Sequence, residues 1–401
     1  MARFTARGVL GIGAAVLTAC ATPTRTPAQS TPPAKTEAPA PAPLPPPVPV
    51  PVPVPPAPVR VAPTRPATVL WPTTKLQGAD YVSVRDLAKL SELKVAWSKP
   101  GAAMTVSDAH GVRLTFEANQ KDFYFDQLRV FLGSPALFHK DSIWVSQLDV
   151  IKIVAPLIRP ADHAALLPVG EPKLIVLDPG HGGIDPGTQN VKLGVNEKTF
   201  TLDVALRLEK LLEARGWRVL LVREKDIELS KDKKADLLMR DEFANRHKAD
   251  LYLSIHFNNA GPAVTGVEVY SLAPQFMLSA GAEQGDDMTK TAYPGNRLDY
   301  ANLLFGSSLH RAMIANVKTP DRGYKHARQA VLRMLDCPGA LVECAYLSNE
   351  AEARRVATPE FRQLIAESLA TGVQDYATAL AALRPTPPPP PAPSSPSSST
   401  K

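Results

Sequence analysis

The sequence has few cysteines and no long apolar run near its start. It contains 3 cysteines among 401 residues, which argues against a small domain held together by disulfides. The apolar stretch from Gly8 to Ala19 is too short to cross a hydrocarbon layer about 30 Å thick as a helix. Neither a disulfide-rich mini-protein nor a membrane protein with several spans fits this composition.

The middle of the chain lacks net charge, although the whole chain carries a formal +6. The surplus lies in Arg3 and Arg7, in residues 21–67, and at Lys401. Between residues 68 and 384 there are 38 basic and 38 acidic residues. Because a nucleic-acid-binding domain concentrates basic residues in its folded part, the sequence predicts no nucleic-acid partner.

Proline is scarce in the middle and abundant at both sides of it. Of 41 prolines, 18 lie in residues 21–67 and 8 in residues 385–401. A chain that alternates proline with alanine and valine favours extended polyproline II and builds no core. We therefore expect a disordered Pro-rich linker over residues 21–67, with a reach on the order of 140 Å, and a disordered Pro/Ser tail over residues 385–401.

The first twenty residues combine two basic residues, a short apolar core and a cysteine. Arg3 and Arg7 precede the short apolar core, which closes as Leu17-Thr18-Ala19-Cys20, a pattern similar to the lipobox of a bacterial lipoprotein signal peptide. This resemblance implies lipidation of Cys20, export, and a lipid anchor in a membrane of the cell envelope. In a cell with two membranes, Ala21 directly after the cysteine resembles a signal that sorts a lipoprotein to the outer membrane. The protein would then face the periplasm. The alternative is an ordinary cleavage site that happens to end at a cysteine.

Residues 68–165 predict a small α+β accessory domain. A strand followed by a helix begins at Asp80, and a similar pattern begins at Asp141, with short strands between them. The layout, together with Trp97, resembles the module named after the N-terminal domain of copper amine oxidases. This resemblance implies a binding or spacer role.

Residues 172–384 predict an α/β domain with a mixed, largely parallel sheet covered by helices on both faces. Apolar strands alternate with amphipathic helices along this part of the chain. The predicted strands are Lys173–Leu177, Trp217–Val222, Asp250–Ile255, Gly266–Ser271 and Ala340–Cys344, and the predicted helices lie near residues 197–215, 234–247, 300–314 and 360–383. Asn196 is expected to cap the first of these helices.

Four polar residues are placed where such a sheet forms a site. His181, His256 and Glu343 lie at or just past the ends of predicted strands, and Glu197 begins a helix. Sites in open α/β sheets form outside the carboxyl ends of the strands, so these side chains are expected to converge. Two imidazoles and one carboxylate would bind zinc and leave a fourth position open, and the other carboxylate would serve as general base and acid. Singly, a histidine or glutamate here could be a cap, but a lone Glu343 would be buried without a partner.

Four short motifs surround these residues. They are Leu-Asp-Pro-Gly-His181-Gly-Gly, Asn-Glu197-Lys, Ser-Ile-His256-Phe-Asn and Leu-Val-Glu343, in that order. Together they resemble the motifs of the zinc-dependent N-acetylmuramoyl-L-alanine amidases. The resemblance covers about residues 172–380 and implies His181, Glu197 and His256 as zinc ligands and Glu343 as the catalytic acid/base. It also implies peptidoglycan as the substrate, cut at the amide between N-acetylmuramic acid and L-alanine of the stem peptide.

Two features depart from the family pattern. Ala345-Tyr346 stands where members usually have Gly-Phe, a change expected to alter the packing around Glu343. Residues 273–299 are longer than a simple connection needs and form either a mobile surface loop or, as in regulated members, an element that covers the zinc until a protein activator binds.

Cys337 and Cys344 are too close along one extended segment to bridge each other and are expected to be buried thiols.

Two other functions are compatible with parts of this pattern. One is a catalytically silent wall-binding or activator protein that keeps the fold. The other is a zinc carboxypeptidase that acts elsewhere on the stem peptide. The complete set of two imidazoles and two carboxylates favours an active amidase over both.

Overall fold

The structure, a computed structural model, describes residues 70–109, 112–281 and 287–384. The predicted signal peptide with Cys20, the linker and the tail lie outside the described residues.

Within these ranges, no helix combines the length and apolar character needed to cross a membrane.

The first part of the described chain is built mainly of antiparallel strands. Strands β3 to β7 pair antiparallel in chain order, while β1, β2, β9 and β8 form a separate four-stranded sheet. The strands are β1 Thr74–Leu76, β2 Ala79–Ser83, β3 Lys94–Lys99, β4 Ala103–Ser107, β5 Arg113–Glu117, β6 Asp122–Phe125, β7 Leu128–Phe131, β8 Leu137–His139 and β9 Ser142–Ser146. The helices are α1 Val84–Leu90, α2 Gln147–Asp149 and α3 Ala155–Ile158, with a π-helical turn at Val150–Val154 and a 3₁₀ turn at Pro160–Leu166.

The second part alternates strands and helices. Its strands are β10 Leu174–Pro179, β11 Gln189–Asn190, β12 Val195–Asn196, β13 Arg218–Leu221, β14 Leu251–Asn258, β15 Val267–Leu272, β16 Asp321–Ala327 and β17 Gly339–Tyr346. Its helices are α4 Glu197–Glu213, α5 Lys233–Arg246, α6 Asp299–Val317, α7 Ala330–Arg333, α8 Glu350–Val356 and α9 Pro359–Leu383, with 3₁₀ turns at Val191–Leu193, Asp287–Lys290 and Pro294–Leu298.

One eleven-stranded sheet joins both parts, in the order β13-β10-β14-β17-β15-β16-β7-β6-β5-β4-β3. Strands β13, β10, β14 and β17 are mutually parallel, whereas β15 runs antiparallel to β17. Strand β16 is again parallel to β15. The predicted mixed, largely parallel sheet of the α/β part is confirmed, and the carboxyl ends of β10, β14 and β17 share one edge.

Helices cover both faces of the α/β part, as predicted. Buried residues of α4, α6 and α9 share one large apolar cluster with residues such as Leu177, Ile255 and Val342. On the opposite face, Val176, Tyr252 and Leu341 pack with Ala244 of α5 and Val331 of α7. The alternation of inward and outward side chains along β10, β14 and β17 supplies both clusters, because successive strand residues point to opposite faces.

The two parts of the sheet meet where β16 runs beside β7. These strands pair in parallel at Tyr324 and Val130, and the backbone N–H of Arg129 donates to Asp321 Oδ2 at 2.9 Å. Gly323 has a φ of +103°, and a Cβ there would lie 2.4 Å from the ring of Phe131. No strand was predicted over Asp321–Ala327, because no apolar alternation marks this segment.

Helix α4 corresponds to the helix predicted near residues 197–215. It begins at Glu197, as expected, and ends at Glu213, close to the predicted end. Asn196 was expected to cap it, but its side chain makes no capping hydrogen bond and instead accepts one from Gln189 Nε2 at 2.7 Å. Asn196 therefore occupies the predicted N-cap position, but the β11–β12 hairpin provides a competing donor for its amide oxygen.

Candidate metal centre

His181 lies two residues past the end of β10 and is held in an unusual backbone conformation. Its φ is +63°, a region that costs free energy for residues other than glycine. Arg240 Nη2 donates to the carbonyl of His181 at 3.0 Å, and His181 Nδ1 lies 2.9 Å from Asp185 Oδ2. These contacts fix the imidazole at the carboxyl-terminal edge of the sheet.

Two glycines are required here because the backbone comes close to the site side chains. A Cβ at Gly180 would lie 2.2 Å from the ring of His256, and one at Gly187 would lie 2.6 Å from Glu197 Oε2. Gly187 also has a φ of +66°, which favours glycine. Both positions therefore exclude larger residues, so that the imidazoles and the carboxylate can approach one another.

Glu197, the first residue of α4, is the buried centre of the cluster. Its Oε1 lies 3.2 Å from His181 Nε2 and 2.9 Å from His256 Nδ1. The backbone N–H groups of Phe257 and Thr188 donate to its two oxygens at 2.9 and 2.7 Å. Burial alone would raise the pKa of Glu197, but the hydrogen bonds from the two histidines outweigh it and hold that pKa well below its usual range.

His181, Glu197 and His256 form a candidate metal site. One potential ligand atom from each residue lies within 4.8 Å of the other two. Two imidazole nitrogens and one carboxylate oxygen match the donors of catalytic zinc sites. Asp185 supplies the outer contact that such histidines ordinarily make, and Lys233 in turn contacts Asp185. Among the residues that the structure describes, no other His, Cys, Asp or Glu group has this geometry.

Glu343 lies beside this cluster on β17. It pairs with His256 of β14 on one side and with Glu268 of β15 on the other, so the three side chains share one face of the sheet. Its Oε2 is buried and accepts no hydrogen bond from the described residues. Burial and the nearby charges of Glu197 and Glu268 raise the pKa of Glu343 well above its usual value.

A buried ion-pair network contacts the backbone of His181 through Arg240. The Arg240 guanidinium bonds to Asp178 Oδ1 at 2.7 Å and to Asp236 Oδ2 at 2.9 Å, with all three side chains almost fully buried. Asp178 also accepts from Tyr252 and Ser254 at 2.6 and 2.9 Å. Although burial opposes ionisation, these partners lower the pKa of Asp178. No local sequence pattern predicts this pair, since only the fold brings residues 178 and 240 together.

Two further histidines and two cysteines of this part of the chain are buried. His310 is buried, with Nε2 2.7 Å from Asp321 Oδ1, and His326 is buried on β16, where burial lowers its pKa to about 4. Cys337 and Cys344 are buried and unbridged.

Residues 273–299 leave the sheet at the edge opposite the metal site. They follow β15, which is antiparallel to β17, and Leu272 is four residues beyond Glu268, about 13 Å along the strand. Ala273 and Ala280 donate backbone hydrogen bonds to Ala327 and His326 at 3.1 and 2.8 Å. Residues 282–286 lie outside the described residues.

The comparison with known families decides the identity of the second part of the chain. A family model for N-acetylmuramoyl-L-alanine amidases matches residues 175–375, half of the chain. The chain belongs to this amidase family. The matched range contains all four residues of the amidase motifs, His181, Glu197, His256 and Glu343, and excludes the antiparallel part of the sheet.

Curated amidases resemble the same part of the chain. An uncharacterized cell wall amidase of Bacillus anthracis is 31% identical over 210 residues, 51% of this chain and 36% of its own length. The amidase AmiC of Neisseria meningitidis is 32% identical over 228 residues, 52% of this chain and 53% of its own length. A germination-specific amidase of Bacillus subtilis is 32% identical over 215 residues, 51% of this chain and 80% of its own length. The chain spans about half the length of AmiC and about a third of the B. anthracis protein.

Proposed function

We propose that the protein is a peptidoglycan hydrolase. It hydrolyses the amide bond between N-acetylmuramic acid and the L-alanine of the stem peptide. The observation that carries this proposal is the grouping of His181, Glu197 and His256 within 4.8 Å beside a carboxylate, Glu343, whose Oε2 lacks a partner among the described residues. Membership of the amidase family supports the choice of substrate.

We infer that His181, Glu197 and His256 hold Zn²⁺. The donor set fits, because both histidine nitrogens point at the same carboxylate oxygen, 3.2 and 2.9 Å away, and borderline cations such as zinc prefer mixed nitrogen and oxygen ligands. When bound, the cation supplies a Lewis acid that polarises the scissile carbonyl and makes water more acidic.

Glu343 is the proposed general base and acid. Its unpartnered Oε2 can accept the proton of the attacking water and then deliver it to the departing L-alanine nitrogen. Glu197 cannot share this role, because it is a proposed metal ligand and two backbone N–H groups already donate to its oxygens.

The bond that is cut can be identified by mass spectrometry. Purified protein incubated with soluble muropeptides should release peptides that begin with a free L-alanine amine, together with saccharides that end in the free lactyl acid. Release of shortened stem peptides that remain attached to the sugar would instead identify a carboxypeptidase. The absence of any cleavage would favour a catalytically silent wall-binding protein.

We also propose that the protein is exported and tethered by a lipid on Cys20, facing the periplasm from an outer membrane. The signal-like residues 1–20 and the lipobox pattern support this placement, as does the resemblance to a cell wall amidase. Membrane fractionation of a Cys20→Ala variant tests it, since the variant should move to the soluble fraction. A protein activator and the domain limits 68–165 and 172–384 stay predictions of the sequence.

A further inference from the structure

A row of polar side chains continues from Glu343 across the sheet. On β15, Glu268 pairs with Glu343, and on β16, Lys325 pairs with Tyr270. Residues two apart on a strand, and residues paired between strands, share a face. His256, Glu343, Glu268 and Lys325 therefore lie on one face, at successive strands.

The row crosses into the antiparallel part of the sheet. Because Tyr324 pairs with Val130, Lys325 shares its face with the residues on either side of Val130, which are Arg129 and Phe131. The Phe131 ring lies between two cations, with Lys325 Nζ at 5.0 Å and Arg129 Cζ at 4.8 Å from its centroid. The α/β part and the antiparallel part thus build this surface together.

Two carboxylates, Glu268 and Asp122, form ion pairs with three cations along this part of the row. Glu268 is 4% exposed and pairs with both Arg322 Nε at 3.3 Å and Lys325 Nζ at 3.1 Å. The hydroxyls of Tyr270 and Tyr346 also donate to Glu268. Arg129 pairs with Asp122 at 2.8 Å. Lys325 and Arg322 therefore share the single carboxylate of Glu268.

The cations remain accessible to a ligand. The side chains of Lys325, Arg322 and Arg129 are 14%, 38% and 32% exposed. Burial lowers the pKa of Lys325 despite the contact with Glu268, so a second negative charge nearby would stabilise its charged form. A bound carboxylate would form charge-assisted hydrogen bonds with this group.

We propose that Lys325, Arg322 and Arg129 form a subsite for an acidic peptide, namely the stem peptide of the substrate as it crosses the sheet from Glu343. This inference rests on the proposed function. Strand β16 is three strands away from β14, which carries His256, or about 14 Å at the usual spacing. An extended peptide covers that distance in about four residues, so carboxylates within the first four residues of the stem can reach the cations.

The subsite is tested with two soluble N-acetylmuramoyl tetrapeptides that begin with L-alanine. One carries free carboxylates, and in the other the same carboxylates are amidated. The full-length protein should prefer the free acid by about tenfold or more in kcat/KM, as expected for a charged hydrogen bond. Raising the salt concentration should reduce this preference, because the cations are partly exposed.

Single substitutions test whether Lys325 and Arg129 cause the preference for the free acid. Lys325→Met should bring the ratio of the two kcat/KM values close to one, and Lys325→Arg should restore most of it. Arg129→Met, on the neighbouring strand, should lower the ratio to a smaller extent and provides an independent test if Lys325→Met fails to fold. Lys99→Met is the matched control, because Lys99 is an exposed cation on β3, and it should leave the ratio unchanged.

The proposal is overturned if the unmodified protein hydrolyses both substrates equally well, or if Lys325→Met and Arg129→Met retain its preference. Either result would leave the proposed function intact, since hydrolysis of the correct bond would still be observed. If neither substrate is cut, the proposed function itself is wrong.

Discussion

Replacing Glu343 by glutamine should lower turnover of a soluble muropeptide by about 10²–10⁴-fold, the usual contribution of a positioned acid/base. Glutamine keeps the size of the side chain but cannot take a proton from water or return it to the leaving nitrogen. We expect the variant to keep the fold. Glu343 Oε2 has no hydrogen-bond partner among the described residues, and a neutral side chain there is less costly to bury than a carboxylate.

Steady-state kinetics and thermal unfolding of the same samples separate these effects. The unfolding temperature of Glu343→Gln should equal or exceed that of the unmodified protein. Glu213→Gln is the matched control, because Glu213 is exposed at the far end of α4 from Glu197, and its activity should be unchanged. If Glu343→Gln retains full activity, Glu343 is not the acid/base.

Replacing Arg240 by methionine should reduce the free energy of unfolding by about 3–5 kcal/mol, the usual cost of leaving a buried charge without its partner. The change would remove the only cation bonded to Asp178 among the described residues and one of the bonds that hold the His181 carbonyl. Urea denaturation measures the loss.

A second substitution tests this explanation. Asp178→Asn in the Arg240→Met background should recover part of the lost stability, because it removes the uncompensated charge. Arg246→Met, on the exposed last turn of the same helix, should change the free energy of unfolding by less than about 0.5 kcal/mol. A cost below about 1 kcal/mol for Arg240→Met would show that the ion pair does not support the site.

The sequence was sufficient to predict the residues of the candidate metal site, and the reason is physical. His181 lies just past the end of one apolar strand and His256 lies near the end of another, and the carboxyl ends of neighbouring parallel strands meet at one edge of a sheet. Glu343 was conspicuous because a charge interrupts the apolar run of β17. The structure brings His181, Glu197 and His256 together with Glu343 on the adjacent strand.

What the sequence did not predict depends on contacts between distant segments. Strand β16 carries Asp321, Arg322, Lys325 and His326, a polar composition that hides its place in the sheet. Its pairing with β7 joins residues almost two hundred positions apart, and no local pattern encodes such a contact. The partners of Glu268 could not be predicted for the same reason. They come from three strands, β15, β16 and β17. The resemblance of residues 68–165 to the copper amine oxidase module stays a prediction.

The metal content of two purified variants tests the central claim most directly. The account assigns Glu197 to the metal and Glu343 to proton transfer, so elemental analysis should find about one zinc per chain in the unmodified protein and in Glu343→Gln. It should find almost none in Glu197→Gln, because two imidazoles alone provide fewer than the three ligands of a catalytic zinc site. Zinc retained by Glu197→Gln and lost by Glu343→Gln would reverse the two roles and contradict the account.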